Sequence, residues 1–264
     1  MNNIYAEILK RVENNEALTL KTEFTGSEGL IAESLTKTLV PFAPQTDMRG
    51  RCFADVTFEE SADGHSVAGE PFSPPERLIV LGAGHIALPV CEFAAKSGFE
   101  VYVCDDRPSF ANEKRFPDAS QVLCDSFENC IRQLKITSYD YIVIITRGHT
   151  HDADCLREIF KGTQPAYLGL IGSRRRVKGL LGMLLAEGCP KEYMDRISTP
   201  IGLDIGAVTP GEIAISILAE LVAYKRLPEH SKDGVRCCND SDVELSVIKY
   251  LAENHDPKAI VTVI

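Results

Sequence analysis

Four apolar residues, Leu78-Ile79-Val80-Leu81, run straight into Gly82-Ala83-Gly84-His85-Ile86-Ala87, a G-x-G-x-x-A turn. A helical pattern over 86–96 follows, Gly98 stops it, and a second apolar run over 99–104 ends in Asp105-Asp106-Arg107. That is the order of a dinucleotide-binding βαβ unit. The first glycine permits the tight turn, the second lets backbone approach a pyrophosphate, and a small third residue brings helix against strand. Asp105 lies about twenty residues beyond the turn, where such units place the carboxylate that meets a ribose hydroxyl. The plainer alternative, a turn that is glycine-rich for packing alone, is the less favoured one.

The same alternation continues downstream. Apolar runs recur at 121–123, 141–145 and 166–171, with helical patterns at 126–136 and 152–161 between them. Short buried runs separated by helix-length segments predict an α/β fold with a doubly wound, parallel, Rossmann-like sheet. Pro89 fits the first helix only within its opening turn. Residues 173–187 read as a helix with Val177, Leu180, Leu181, Leu184 and Leu185 on one face. Thr209-Pro210-Gly211-Glu212 is a capping box with proline at the first helical position. The helix it opens is apolar almost all round over 213–223 and is expected to be buried in the core.

Three segments follow from this pattern. Residues 1–75 read as a smaller N-terminal α+β domain, with Ile4, Ile8 and Val12 at helical spacing and strand-like pieces at 18–24 and 52–58. The Ser73-Pro74-Pro75 step marks the boundary with a Rossmann-like domain at 76–227. A polar tail occupies 228–264, with helical periodicity over 243–254 and an apolar, strand-like end at 259–264. An unpaired strand wants a neighbour, which is the basis for expecting a homodimer. A faint echo between 8–20 and 247–262 is explained by chance about as well as by duplication.

A length of 264 residues suits one large domain, or a medium one with a smaller companion. With 28 Lys+Arg against 38 Asp+Glu, the net charge of −10 argues against nucleic acid or an anionic membrane as a partner. Nine cysteines, none in C-x-x-C, and the lack of a leader or membrane-spanning run lead to the expectation of a cytoplasmic protein with reduced thiols.

In a doubly wound sheet, ligands bind outside the carboxyl ends of the strands. Three polar sets stand there besides the turn. Thr146-Arg147-Gly148-His149-Thr150-His151-Asp152 follows the run at 141–145. Its histidines and aspartate suit zinc or iron, but too few ligands converge, so contact with an anion or other ligand is favoured over metal. Asp152 as a cap of the next helix is a third reading. Gly172-Ser173-Arg174-Arg175-Arg176 opens a helix whose free N–H groups, dipole and arginines favour an anion; at least one arginine facing away would merely solvate the helix. Pro200-Ile201-Gly202-Leu203-Asp204-Ile205-Gly206-Ala207 reads as a loop pressed on a ligand or on neighbouring backbone, with Asp204 as its one chemical group. No serine-nucleophile elbow, Walker loop or zincin motif is present.

Taken together, GAGHIA at 82–87, VYVCDDR at 101–107, RFPDA at 115–119, IVIITRGHTHD at 142–152, YLGLIGSRRR at 167–176 and PIGLDIGAVTPGEIAISILAEL at 200–221 resemble the XdhC/CoxI family. These are accessory proteins of xanthine dehydrogenase and related molybdenum hydroxylases. The resemblance implies a two-domain protein that binds molybdenum cofactor as cargo, helps its sulfuration and delivers it to the apo-hydroxylase. A cysteine desulfurase is the further partner it suggests. The cofactor-binding set it points to is Gly82, Gly84, His85, Asp105, Asp106, Arg107, Arg147, His149, His151, Gly172, Ser173, Arg174, Arg175 and Asp204. No catalytic residue and no metal ligand is assigned.

The N-terminal third departs from the family. Its Gly-Ser-x-Pro-Arg step is reduced to Gly26-Ser27-Glu28-Gly29, while residues 251–264 look more like the start of that domain than the N-terminus does. A chain cut short, or part of a second copy appended, is the expectation. Two other functions compete. One is an NAD(P)-dependent oxidoreductase, with Arg107 beside Asp105 leaving NAD and NADP both open, although no convincing substrate domain accompanies it. The other is a metal-dependent hydrolase built on His149, His151 and Asp152.

Overall fold

The computed structural model describes residues 3–25, 34–42, 45–46, 52–53, 56–61, 65–227 and 245–253. The chain divides into two units, Met1–Pro74 with Cys237–Ile264, and Pro75–Arg236. The first unit begins with α1 (Ile4–Glu13), β1 (Leu18–Thr25) and β2 (Ser34–Pro41). A short pair, β3 (Gln45–Thr46) and β4 (Cys52–Phe53), precedes β5 (Thr57–Glu60) and β6 (His65–Phe72). Strands β2-β1-β6-β5 form an antiparallel sheet in that order. Ile8 and Val12 of α1 pack against Leu18, Leu20 and Phe72. The strand anticipated over 52–58 is instead two separate strands, β4 and β5, with different partners.

The second unit holds β7 (Arg77–Leu81), α2 (Ala87–Lys96), β8 (Glu100–Asp105), β9 (Gln121–Cys124), α3 (Phe127–Leu134) and β10 (Tyr141–Ile144). It continues with α4 (His149–Ile159), β11 (Tyr167–Leu170), α5 (Arg174–Ala186), the short α6 (Lys191–Asp195) and α7 (Pro210–Arg226). All five strands are parallel, in the order β11-β10-β7-β8-β9. The chain winds from central β7 outward to β9, then returns to β10 on the other side. The switch point of this Rossmann-like sheet therefore lies between β7 and β10, where such sheets bind ligands.

Strand residues alternate between two covered faces, which is why the runs are apolar throughout. Leu78, Val80, Val101, Val103 and Val143 face a core shared with α2 and α7. Ile79, Leu81, Ile142, Ile144 and Leu170 face α3, α4 and α5. Pro89 is the third residue of α2, where its missing N–H is one that the first turn leaves unpaired anyway.

Three expectations need correction. Helix α4 starts at His149, not near 152, so the histidines are helical and Gly148 rather than Asp152 is its N-cap. In α5, Val177, Leu180 and Leu184 are buried but Leu185 is 44% exposed, since that face is too narrow to cover it. Helix α7 is not wholly buried either, because it lies in an outer layer: Ile215 and Val222 are exposed while Ala214, Ile217 and Leu221 are in the core. Its capping box is formed, with Thr209 accepting from the Glu212 N–H and Glu212 accepting from the Thr209 N–H.

Tail helix α8 (Leu245–Glu253) belongs with the first unit, where Ile248 joins the α1 cluster and the Asn3 amide donates to Leu251 O at 2.8 Å. The Gly26-Ser27-Glu28-Gly29 step and the apolar end at 259–264 lie outside the described residues. Among the described residues no helix is long and apolar enough to cross a membrane.

Candidate functional site

The turn after β7 is held from all sides. Gly82 has φ +114°, and a Cβ there would lie 2.5 Å from Ile145 O, against the end of β10. Its N–H donates to Cys104 O of β8 at 2.8 Å. The next peptide is pinned on both edges: the Ala83 N–H donates to Asp105 Oδ2 at 2.8 Å, and Ala83 O accepts from Arg115 Nη1 at 3.0 Å. Gly84, in contrast, has nothing within 4 Å of a built Cβ. The N-cap of α2, Ile86, makes no side-chain hydrogen bond, and no acid lies in the first turn. Rigid backbone, an open side at Gly84 and uncapped N–H groups are features chemically suited to an anion.

Asp105 serves this turn from within. Its side chain is 1% exposed and accepts from the Arg107 N–H at 3.1 Å, from Arg107 Nε at 2.7 Å and Nη2 at 2.9 Å, besides Ala83. Burial by itself raises the Asp105 carboxyl, but these bonds outweigh it and hold its pKa below the ordinary value. Four donors occupy the four acceptor sites of a carboxylate. Asp105 is thus turned inward and not toward a ribose hydroxyl, and Arg107, lying 3.7 Å above the Phe110 ring, is committed with it.

The exposed acid is its neighbour. Asp106 follows β8 and pairs with Arg147, which follows β10, through contacts of 2.5 and 2.9 Å. Because β7 lies between those strands, this fork-on-fork pair spans the end of β7 beside the glycine turn. Arg147 holds the Asp106 carboxyl down at about 2.

At the start of α4, Thr146 donates to Asp152 Oδ1 at 2.6 Å, and Arg176 Nη2 of α5 reaches Asp152 Oδ2 at 2.5 Å. Arg176 Nε also donates to His149 Nδ1 at 3.0 Å. The buried Asp152 is therefore a tie between two helices and not an N-cap or a ligand. His151, two residues on from His149, points to another side of the helix and meets Phe127 edge-on, with ring centroids 5.5 Å apart. Among the described residues no three His, Cys, Asp or Glu side chains gather as a metal site. Of the three residues in the hydrolase reading, His149 and Asp152 share Arg176, while His151 turns away to Phe127.

Gly172 and Ser173 open α5 as read, with the Ser173 hydroxyl accepting from the Arg176 N–H at 3.4 Å. Arg174 and Arg175 are exposed in the first helical turn. The loop at 200–207 is pressed on backbone of α7: Gly202, with φ +101°, crowds Ser216, its N–H donates to Glu220 Oε2 at 2.5 Å, and Ser216 Oγ donates to Leu203 O at 2.6 Å. Asp204 is exposed on that loop and His85 is exposed in the turn.

The structure thus gathers Gly82, Gly84, Asp105 and Arg107 at the turn, Asp106 with Arg147 across β7, and His149 with the α5 start. The roles of four residues went unrecognised in the sequence. Arg115, within the RFPDA piece, clamps Ala83; Arg176, third of the arginines, and Asp152 join the helices. Glu220, which also accepts from Tyr167 OH at 2.7 Å, fastens the 200–207 loop and carried no signal in an apolar helix.

The family described as the XdhC Rossmann domain matches residues 78–221. The uncharacterized protein YqeB of Escherichia coli (strain K12) is 36% identical over 151 residues, covering 56% of this chain and 27% of that protein. A probable xanthine dehydrogenase subunit of Bacillus subtilis (strain 168) is 33% identical over 153 residues, covering 58% of this chain and 44% of the relative. A crystal structure of a xanthine dehydrogenase from Bacillus halodurans superposes with a TM-score of 0.60 at 25% identity, over 82% of this chain and 62% of that one. The chain spans less than half the length of the two curated relatives.

Proposed function

We propose that this chain, which belongs to the XdhC family through its Rossmann domain, is an accessory factor of a xanthine dehydrogenase-type molybdenum hydroxylase. In this reading it binds molybdenum cofactor, assists its sulfuration with a cysteine desulfurase, and hands it to the apo-hydroxylase. The observation that carries the reading is the division of charge at the carboxyl edge of the sheet. The acids nearest the switch point, Asp105, Asp106 and Asp152, are each held by an arginine. Apart from the exposed Asp204 of the 200–207 loop, what stays open among the described residues is cationic or N–H: the start of α2 at Gly84 and the exposed Arg174 and Arg175. Such an edge is suited to hold a phosphate more than to move protons.

Molybdenum cofactor carries a phosphate or, in its dinucleotide form, a pyrophosphate, and supplies the metal chemistry of the hydroxylase once delivered. The residues present fit such a group. Two places suit a phosphate, Gly84 with the first N–H groups of α2 and, separately, Arg174 and Arg175 at the start of α5, while Asp105 and Arg115 keep the turn rigid. Protein purified from cells that make the cofactor should carry pterin, and Arg174→Ala with Arg175→Ala should reduce it; absence of pterin in the wild-type chain would refute the reading. NAD(P) keeps a claim through the same turn, although Asp105 lacks a free oxygen for ribose. Calorimetric titration with NAD(H) and NADP(H) decides it, and no heat with any of them removes it.

A further inference from the structure

Between the starts of α4 and α5 runs a groove of about 620 Å³, on the sheet face opposite α2 and α7. Ala153, Leu180 and Met183 give it an apolar floor, and His149, Ser173 and Arg175 give it a polar mouth. Its size lies within the range of small-molecule sites, about 300–1,000 Å³. Two further features of α5 favour a ligand over an idle gap. Gly179 stands inside the helix, where only proline is a poorer choice, and the space above it is open, so any larger side chain would intrude on the groove. Arg174 and Arg175 occupy the first turn, where the helix dipole disfavours cations. Arg157 and Arg176 also line the groove but are held by Glu187 and Asp152; Arg175 has no carboxylate partner among the described residues.

We infer that this groove, and not the glycine turn, seats the ring system of a pterin bearing a phosphate monoester. The flat ring lies on the apolar floor, and the phosphate is taken by Arg175, the Ser173 hydroxyl and the first N–H groups of α5. This rests on the cofactor-handling reading above and assigns its pterin to one place, leaving the turn to a nucleotide.

The test titrates 6-hydroxymethylpterin phosphate into the full chain and follows pterin fluorescence anisotropy. Saturable binding is expected, weakened about tenfold by Arg175→Ala, as loss of one charge-assisted phosphate contact predicts. Gly179→Leu should abolish binding. Its Cβ meets nothing within 4 Å, so an unchanged denaturation curve should accompany the loss. Lys178→Ala, an exposed change on the same helix outside the groove, should leave affinity intact, and inorganic phosphate should compete. Should Gly179→Leu fail to fold, Arg175→Ala and phosphate competition carry the test.

Binding that survives Arg175→Ala and a folded Gly179→Leu would overturn the inference. So would equal weakening by Lys178→Ala, loss confined to Gly84→Val, or no binding at all. Pterin that co-purifies with wild type and with Gly179→Leu alike sinks the groove alone, whereas a wild-type chain that never carries pterin sinks the parent reading.

Discussion

The glycine turn after β7 and the mouth between α4 and α5 stand on the same edge of one sheet, yet they are built in opposite ways. The turn is made of backbone, and its polar groups are consumed in holding it: Asp105 and Arg115 grip the two edges of the Ala83 peptide. The mouth is made of side chains, and its charge is divided. Arg176 is used on Asp152 and His149, while Arg174 and Arg175 are not tied to them. One region offers fixed N–H groups, which discriminate by shape; the other offers exposed cations, which attract.

If the turn is rigid for these reasons, Gly82→Ala should be the most damaging single change near the edge. A Cβ at φ +114° would press on Ile145 backbone, which cannot yield as a side-chain tip would. A loss of about 3 kcal/mol in chemical denaturation is expected from strain and overpacking together. Gly84→Ala, two residues on, should leave stability nearly unchanged because its Cβ enters open space. Equal losses at the two glycines would show that the turn is not wedged as described.

The mouth can be split in the same manner. Arg176→Ala leaves the buried Asp152 carboxylate with only Thr146, and about 2 kcal/mol of destabilisation should follow. Arg175→Ala should leave the denaturation midpoint in place and lower only ligand affinity. If Arg175→Ala unfolded the protein, it would be a structural tie, and the division of charge at the mouth would be false.

How legible these regions were follows from their construction. The five parallel strands were readable because burial on both faces makes them continuous apolar runs. Gly82 was readable because a backbone that must turn there excludes side chains. The start of α4 was not, since His149-Thr150-His151-Asp152 carries no apolar periodicity and its N-cap, Gly148, makes no side-chain bond. Asp105 was placed at the right strand end but expected to face outward. Its direction depends on Arg107 and on the Ala83 N–H, contacts that strand periodicity does not encode. Arg115 lies 32 residues from the carbonyl it clamps, so only the folded chain reveals it.

The smallest expected effect concerns the pair that spans β7. Arg147 depresses the Asp106 carboxyl from 3.8 to about 2. A carboxyl whose folded pKa is lowered contributes stability above its unfolded value and loses it as pH falls through the folded value. The contribution of Asp106 should therefore be full above 3.8 and fade toward about 2. Glu158, between Arg132 and Lys161, titrates equally low, so wild type alone cannot isolate Asp106. The difference between wild type and Asp106→Asn can, because Glu158 is common to both. Side chains 40% and 32% exposed are partly screened by solvent, so that difference should be only a fraction of a kcal/mol, shrinking with added salt. Denaturation midpoints of both proteins from pH 5 to pH 2 at low ionic strength would show it closing as acid is added. A difference that stays constant across that span would mean the pair is not formed in solution and leaves the end of β7 unbridged.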